Sequence, residues 1–484
     1  KMFTIEEYAS YDATGLAELV RSREVKPSEV HEAGVNAVQL ADERLHACAE
    51  GPWETPLDAA TDGFFTGVPF VLKDLLCHAA GVPLHLGSRA LARGIVFDQD
   101  SELMARFRRA GLAAVASTKI PEFALTATTE PLLGGAVHNP WDPTKSPGGS
   151  SGGSAAMVAS GAVPIAHAND GAGSIRIPAA HTGTVGLKPS RGRVPIGPEV
   201  QEAFYGNVID FAITRTVRDA AGLLDAVHGN LSGEKYSAPT PARPYRDELS
   251  GPSAPLRIAV CADSWSDRVV HPEVVRTMAS TLQLLSDLGH HVEVVAPQID
   301  WEDFLSALTI TYCAGTAADV VPLGEALGVG LSPDYFEATT IAAAEAGRAM
   351  TPMDLARAFA TNNKVSRQLA TFMGEWDIFV TPTSITPPLD LGTFDANDPS
   401  FTAEDWVRHV IAPHPTCALY NVSGAPAISL PLGTTDDGLP VGVQFGADIY
   451  REDLLLGLAA QLEQAQPWAD RRPALHVTNL KEPV

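Results

Sequence analysis

The chain has 484 residues, 45% of them hydrophobic and 19% charged, which is the composition of a folded globular protein and not of a disordered one. A formal net charge of −24 repels phosphate backbones and excludes nucleic acid as an expected partner. The five cysteines (Cys48, Cys77, Cys261, Cys313 and Cys417) are odd in number, widely spaced and without a C-x-x-C pair, which excludes a zinc site and a disulfide framework as expectations.

Reduced thiols fit a reducing compartment, so a cytoplasmic location is expected. Residues 1–20 are acidic and lack an apolar signal core. No run of about 18 apolar residues predicts a membrane span.

In chain order, 4–20 and 28–48 read as helices, the second with Ser28 as cap and Val30, Ala33, Ala37 and Leu40 at helical spacing. Residues 67–73, GVPFVLK, read as a buried strand ending in Lys73. Ser101 caps a helix to Ala110, and 112–116 is a strand. Residues 138–147, HNPWDPTKSP, carry three prolines and form a loop. A helix over 153–161 and a strand over 162–166 lead into a second glycine–serine loop, and 185–189 leaves it extended.

Thr216 caps a helix to His228. Strands at 256–261 and 292–295 flank an amphipathic helix at 271–288, and 300–372 is mostly helical. A strand at 377–380 precedes a Pro/Asp-rich loop over 381–404, long enough to suggest a functional role. Strands at 427–430 and 441–445 meet at the Asp437-Gly438 turn, and 452–465 closes the chain as a helix. The β-α-β rhythm predicts an α/β protein with a parallel or mixed sheet covered by helices.

The chemistry concentrates in 146–189. Gly148-Gly149-Ser150-Ser151-Gly152 fits the G-x-S-x-G of a nucleophile elbow, but an elbow needs a strand before it and the prolines forbid one. Gly171-Ala172-Gly173-Ser174 offers N–H groups that can converge on an oxyanion, with a tight turn and capping serine as the simpler alternative. Lys73, carried inward on a strand, would lose solvation and with it part of its proton affinity; the simpler reading pairs it with Asp74. His138, His167 and His181 lie near the serine loops and leave a Ser–His–Asp site open.

These segments together resemble the amidase signature family. The resemblance is carried by 67–74, by PGGSSGGSAA and GAGSIRIPAAHTGTVGLKP, and by the 24 residues from Ser150 to Ser174. Further matches are Pro121-Glu122-Phe123, Asn139-Pro-Trp-Asp-Pro, Gly424-Ala-Pro-Ala-Ile-Ser-Leu-Pro and Gly438-Leu-Pro-Val-Gly-Val-Gln, in order over nearly the whole chain.

The resemblance implies a large mixed, mostly parallel sheet sandwiched between helices. It divides the chain into an N-terminal helical segment, 1–60, packed on an amidase signature domain, 61–484, with the substrate pocket built by 300–415. It implies a catalytic trio in which Ser174 attacks, Ser150, behind a cis peptide bond after Gly149, shuttles the proton, and Lys73 is the base. Ser151 would support them, and Gly171, Ala172 and Gly173 would form the oxyanion hole. No metal and no cofactor are implied.

The substrate expected is a small-molecule amide, with esters and carbamates accessible to the same site. The ending of the chain is similar to the branch acting on cyclic amides, aryl amides and carbamates (urethanes). There the resemblance implies a pocket-lining cysteine, with Cys313 at the comparable place. The glutamine amidotransferase A-type subunit shares the signature and is the rival function. No membrane partner is expected, and a homodimer is left open. Ala172 stands where the family has glycine, so an oxyanion hole there requires alanine to accept the backbone conformation.

Overall fold

The computed structural model describes residues 3–480. One sheet of eleven strands runs through it: β1 Cys48–Glu50, β2 Val68–Lys73, β3 Leu112–Thr118, β4 Ile165–Asp170, β5 Val185–Lys188, β6 Ile209–Thr214, β7 Arg257–Val260, β8 His291–Val294, β9 Ile378–Pro382, β10 Ala427–Thr434 and β11 Pro440–Gly446. The spatial order is β1-β3-β2-β4-β6-β5-β10-β11-β9-β7-β8.

The sheet is mixed, as expected, but parallel pairing does not predominate. Four neighbouring pairs are parallel and six antiparallel. Parallel pairs sit in the two flanks, where helices cross over. The centre is antiparallel, partly because β10 and β11 are joined by a short turn that only a hairpin can use.

The strands nearest the site are buried along their whole length: β2, β3 and β4 expose no residue to solvent. Strands covered on both faces read as apolar runs, which is why β2 and β3 were legible. The N-terminal helices belong to the same core. Val30, Ala37, Val38 and Leu45 of the helix Pro27–Leu45 pack in one cluster with Val68 and Phe70 of β2.

Local differences from expectation have local causes. The first predicted helix is two, Ile5–Ser10 and Ala13–Arg21, because the Asp12 side chain accepts from Gly15 N–H and restarts the helix. The next begins with Pro27 in its first turn, ahead of Ser28, and Glu29 accepts from Lys26 N–H. Ser101 and Thr216 cap as predicted, accepting from Met104 and Asp219 N–H.

The strand predicted at 162–166 is instead β4, which carries His167, Asn169 and Asp170. Its partner β6 pairs it residue by residue, Ile165 with Thr214 through Asp170 with Ile209. Polar side chains can occupy a buried strand when each finds a partner, and these do. The helix Trp301–Ala326 is long and apolar enough to cross a membrane by length and composition. Of its most apolar stretch, 61% is buried within the protein, as in a core helix.

Candidate active site

β2 delivers Lys73 to the carboxyl-terminal edge of three parallel strands, β3, β2 and β4, the usual position for a site in such a sheet. The side chain is fully buried. Its Nζ lies 2.8 Å from both Ser150 Oγ and Ser151 Oγ and 3.3 Å from Asn169 O. Burial pushes the Lys73 pKa down to about 7, against the opposing charges of Asp210 and Asp170.

A neutral amine has two N–H donors and one lone pair. The Ser151 hydroxyl itself donates to Asn169 O, so Ser151 Oγ and Asn169 O serve as acceptors for the two N–H groups. The lone pair is then left for the Ser150 hydroxyl, and this is the arrangement of a base. Asp74, the simpler partner proposed for Lys73, accepts instead from His85 N–H.

The first glycine–serine loop is held against Thr128 and Thr129. Thr129 Oγ1 donates to Gly148 O and accepts from Gly152 N–H. A Cβ on Gly149 would stand 2.4 Å from Thr128 O, so only glycine fits there. The Gly149–Ser150 peptide bond is cis, as the family resemblance implied. Ser151 N–H donates to Ser174 O at 3.3 Å, which ties the two loops together.

The second loop is organised by Asp170, the last residue of β4. Its carboxylate accepts from Gly173 N–H (2.8 Å) and Ile175 N–H (3.1 Å) and pairs with the Arg176 guanidinium (2.8 Å), both side chains being fully buried. Burial opposes the charge on Asp170, but Arg176, with its hydrogen bonds, and Asn421 hold the carboxyl well below the usual range. Arg176 also donates to Cys417 O and Gln444 Oε1, fixing the start of the helix Arg176–Thr182.

Two expectations change here. Gly173 does not offer its N–H to an oxyanion, because Asp170 takes it. Its glycine is required for another reason: at φ +125° a Cβ would stand 2.6 Å from Ile177 Cδ1 and 2.9 Å from Cys417 Cβ. Ala172 raises no difficulty, since it is absent from the left-handed backbone positions. Among the described residues, the N–H groups of Gly171, Ala172 and Ser174 make no hydrogen bond to protein. Neither does the Ser174 hydroxyl, and Ser174 is half-buried.

The histidines take other roles. His167 Nδ1 accepts from Lys73 N–H at 3.1 Å and its Nε2 meets Asp210 Oδ1 at 2.9 Å. Both ring nitrogens are occupied, so His167 positions the Lys73 backbone and has no nitrogen left for a serine. His138 Nδ1 lies 2.7 Å from Pro143 O. His181 is buried against His414, and burial pushes it down to about 4. No cluster of His, Cys, Asp or Glu suited to a metal exists among the described residues.

A family model described as Amidase matches residues 28–456. The 6-aminohexanoate-cyclic-dimer hydrolase of Paenarthrobacter ureafaciens is 36% identical, over 98% of both chains. The chain belongs to the amidase family. It is an amidase signature hydrolase acting on amide bonds.

Among solved structures, a 6-aminohexanoate cyclic dimer hydrolase complexed with substrate superposes with a TM-score of 0.90 at 34% identity, covering 96% of this chain and 99% of that one. A bacterial aryl acylamidase of the amidase signature family gives 0.85 at 25% identity, covering 98% and 99%.

In this amidase Ser150 and Ser174 border a cavity of about 740 Å³ with mainly apolar walls. Residues 300–415 supply part of the wall, including Leu308, Thr311, Tyr312 and Val410. The stretches 75–97, 123–127 and 196–208 supply the remainder of the outer wall, and apart from Phe123, part of a family match, nothing in their sequence marked them. Cys313 is not in the wall. It is buried on the helix Trp301–Ala326, and its carbonyl faces Gly347 so closely that a Cβ there would collide with it. The neighbouring Tyr312 faces the cavity and donates to Leu125 O at 2.6 Å. Polar atoms of the lining residues, among them Thr126 Oγ1, His414 Nε2 and His78 Nδ1, are buried without a protein hydrogen-bond partner. A bound ligand is the natural partner for such groups.

Proposed function

We propose that Ser174 is the nucleophile of an acyl-enzyme mechanism, with Ser150 as proton carrier, Lys73 as base and Ser151 as support. The observation that carries this reading is the fully buried Lys73 Nζ, 2.8 Å from Ser150 Oγ, with a pKa brought down to about 7.

Lys73 takes the Ser150 proton as Ser150 Oγ takes that of Ser174. Ser174 Oγ then bonds to the amide carbon. The oxyanion is met by the uncommitted N–H groups of Gly171, Ala172 and Ser174, each such donor contributing about 3–4 kcal/mol in comparable sites. The C–N bond breaks as the relay returns the proton to the departing nitrogen. Water attacks the acyl ester, gives its proton to the relay, and frees the acid and Ser174.

The apolar cavity and the names of the relatives favour cyclic or aryl amides as substrates. Carbamates and esters present the same carbonyl to the same groups. A cytoplasmic location belongs to this reading and fits five free cysteines.

The test is a panel of primary amides, anilides, cyclic amides, carbamates and esters, run with the native enzyme and with Ser174→Ala. Native protein is expected to hydrolyse the amides and to show an acyl adduct on Ser174 by mass spectrometry. Ser174→Ala is expected to lose both, by about four orders of magnitude in turnover. Full activity of that variant refutes the scheme.

A further inference from the structure

The cavity walls contain three carboxylate residues, Glu199, Glu202 and Asp319, and no lysine or arginine. Two of the three are already engaged. Glu199 Oε2 lies 3.1 Å from His78 Nε2. Glu202 accepts from Lys235 Nζ at 2.9 Å and from the Tyr236 hydroxyl at 2.7 Å. Asp319 has no hydrogen bond or ion pair from its carboxylate among the described residues.

Asp319 stands on the helix Trp301–Ala326, one turn beyond Gly315 and therefore on the same face. A Cβ on Gly315 would lie 2.6 Å from the Phe204 ring, so this face of the helix is pressed against the aromatic pair Phe204–Tyr205. Both rings line the cavity. The Tyr205 hydroxyl is pushed up by burial and then by the charge of Asp319, which places carboxylate and ring within electrostatic reach. Asp319 itself is open to water on the cavity wall, yet the protein around it is dense enough to raise its carboxyl. An unpaired carboxylate on a wall shared with aromatic side chains and otherwise mainly apolar has the chemistry that receives a cation.

We infer that Asp319, flanked by Phe204 and Tyr205, selects amide substrates bearing a cationic group such as an ammonium and turns away those bearing a carboxylate. This selection rests on the reading of Ser174 as the nucleophile of the same cavity. A substrate ammonium gains the Asp319 charge and a ring face together. A substrate carboxylate meets a like charge with no cation on the wall to offset it, and the chain's net charge of −24 acts in the same sense at longer range.

Two matched series of amides test it with the full-length enzyme. One varies the end of the acyl chain and the other the end of the amine. Each has three members of equal length ending in an ammonium, a hydroxyl or a carboxylate. In at least one series, kcat/KM for the ammonium member is expected to exceed that for the carboxylate member by about tenfold or more. Asp319→Asn is expected to bring that ratio toward one, and Asp319→Lys to invert it. Dividing each value by that of the hydroxyl member removes any change in the folded fraction.

Equal kcat/KM for ammonium and carboxylate members in both series overturns the inference. So does a ratio that Asp319→Asn leaves unmoved. Failure of the underlying mechanism looks different: Ser174→Ala would then still hydrolyse the hydroxyl members.

Discussion

Two lysines end strands of this sheet and are both fully buried, Lys73 on β2 and Lys188 on β5. Burial lowers the pKa of each. Their surroundings differ. Lys73 Nζ has two hydroxyls at 2.8 Å, whereas Lys188 Nζ donates to its neighbour's carbonyl, Pro189 O, at 2.7 Å. A carbonyl can only accept, so Lys188 has no proton to take from it. Desolvation makes an amine able to act as a base, and an adjacent hydroxyl gives it something to do. His167 teaches the same lesson from the other side: its two nitrogens are already spent on Lys73 N–H and Asp210.

Lys73→Met breaks this comparison most sharply. It keeps the shape of the stem and removes the base, and kcat/KM for an anilide is expected to fall by about a thousandfold or more at pH 7. Next comes Asp170→Asn, which leaves Arg176 buried with its charge uncompensated. A loss of about 3–5 kcal/mol in denaturant unfolding is expected, because breaking one side of a buried pair costs far more than replacing both.

The pH dependence sharpens the comparison further. With Lys73 down at about 7, kcat/KM should rise through an acid limb centred near pH 7 and level off above it. Stability follows with its own sign. Unfolded lysine titrates near about 10.4, so between about pH 7 and 10 the unfolded chain binds more protons and stability rises with pH. Below pH 7 both states hold the proton, and the full cost of the buried charge is present. Lys73→Met should flatten this rise in unfolding curves measured across that range. The smallest effect is expected from Lys188→Met: kcat within about threefold of native and a stability change under about 1.5 kcal/mol, as for a volume-conserving core exchange. A collapse of activity there would mean that the neighbouring hydroxyls were the wrong criterion.

The positions legible in the sequence were those whose reasons are local. The three prolines before Ser150 rule out a strand whatever the fold. The cap at Ser101 and the apolar run of β2 likewise depend on adjacent residues. Cys313 lies outside the cavity wall while its neighbour Tyr312 lines it, because one residue along a helix turns a side chain by about 100° and only tertiary packing decides which face meets the cavity. β4 was cut short because its polar end looked like a loop until β6 supplied the partners.

By itself, then, the chain determined its α/β class, the buried run ending in Lys73 and the two glycine–serine loops, since short-range sterics and hydrophobic patterning dictate these. The tertiary structure decided which groups meet. Lys73 reaches Ser150 across 77 positions, His167 reaches Asp210 across 43, and Asp170 is held by Asn421 across 251. Which N–H groups remain for an oxyanion, and which carboxylate in the cavity remains unpaired, depends on such distant partners. A hydrogen bond is a property of two groups in space, and the sequence names only the groups.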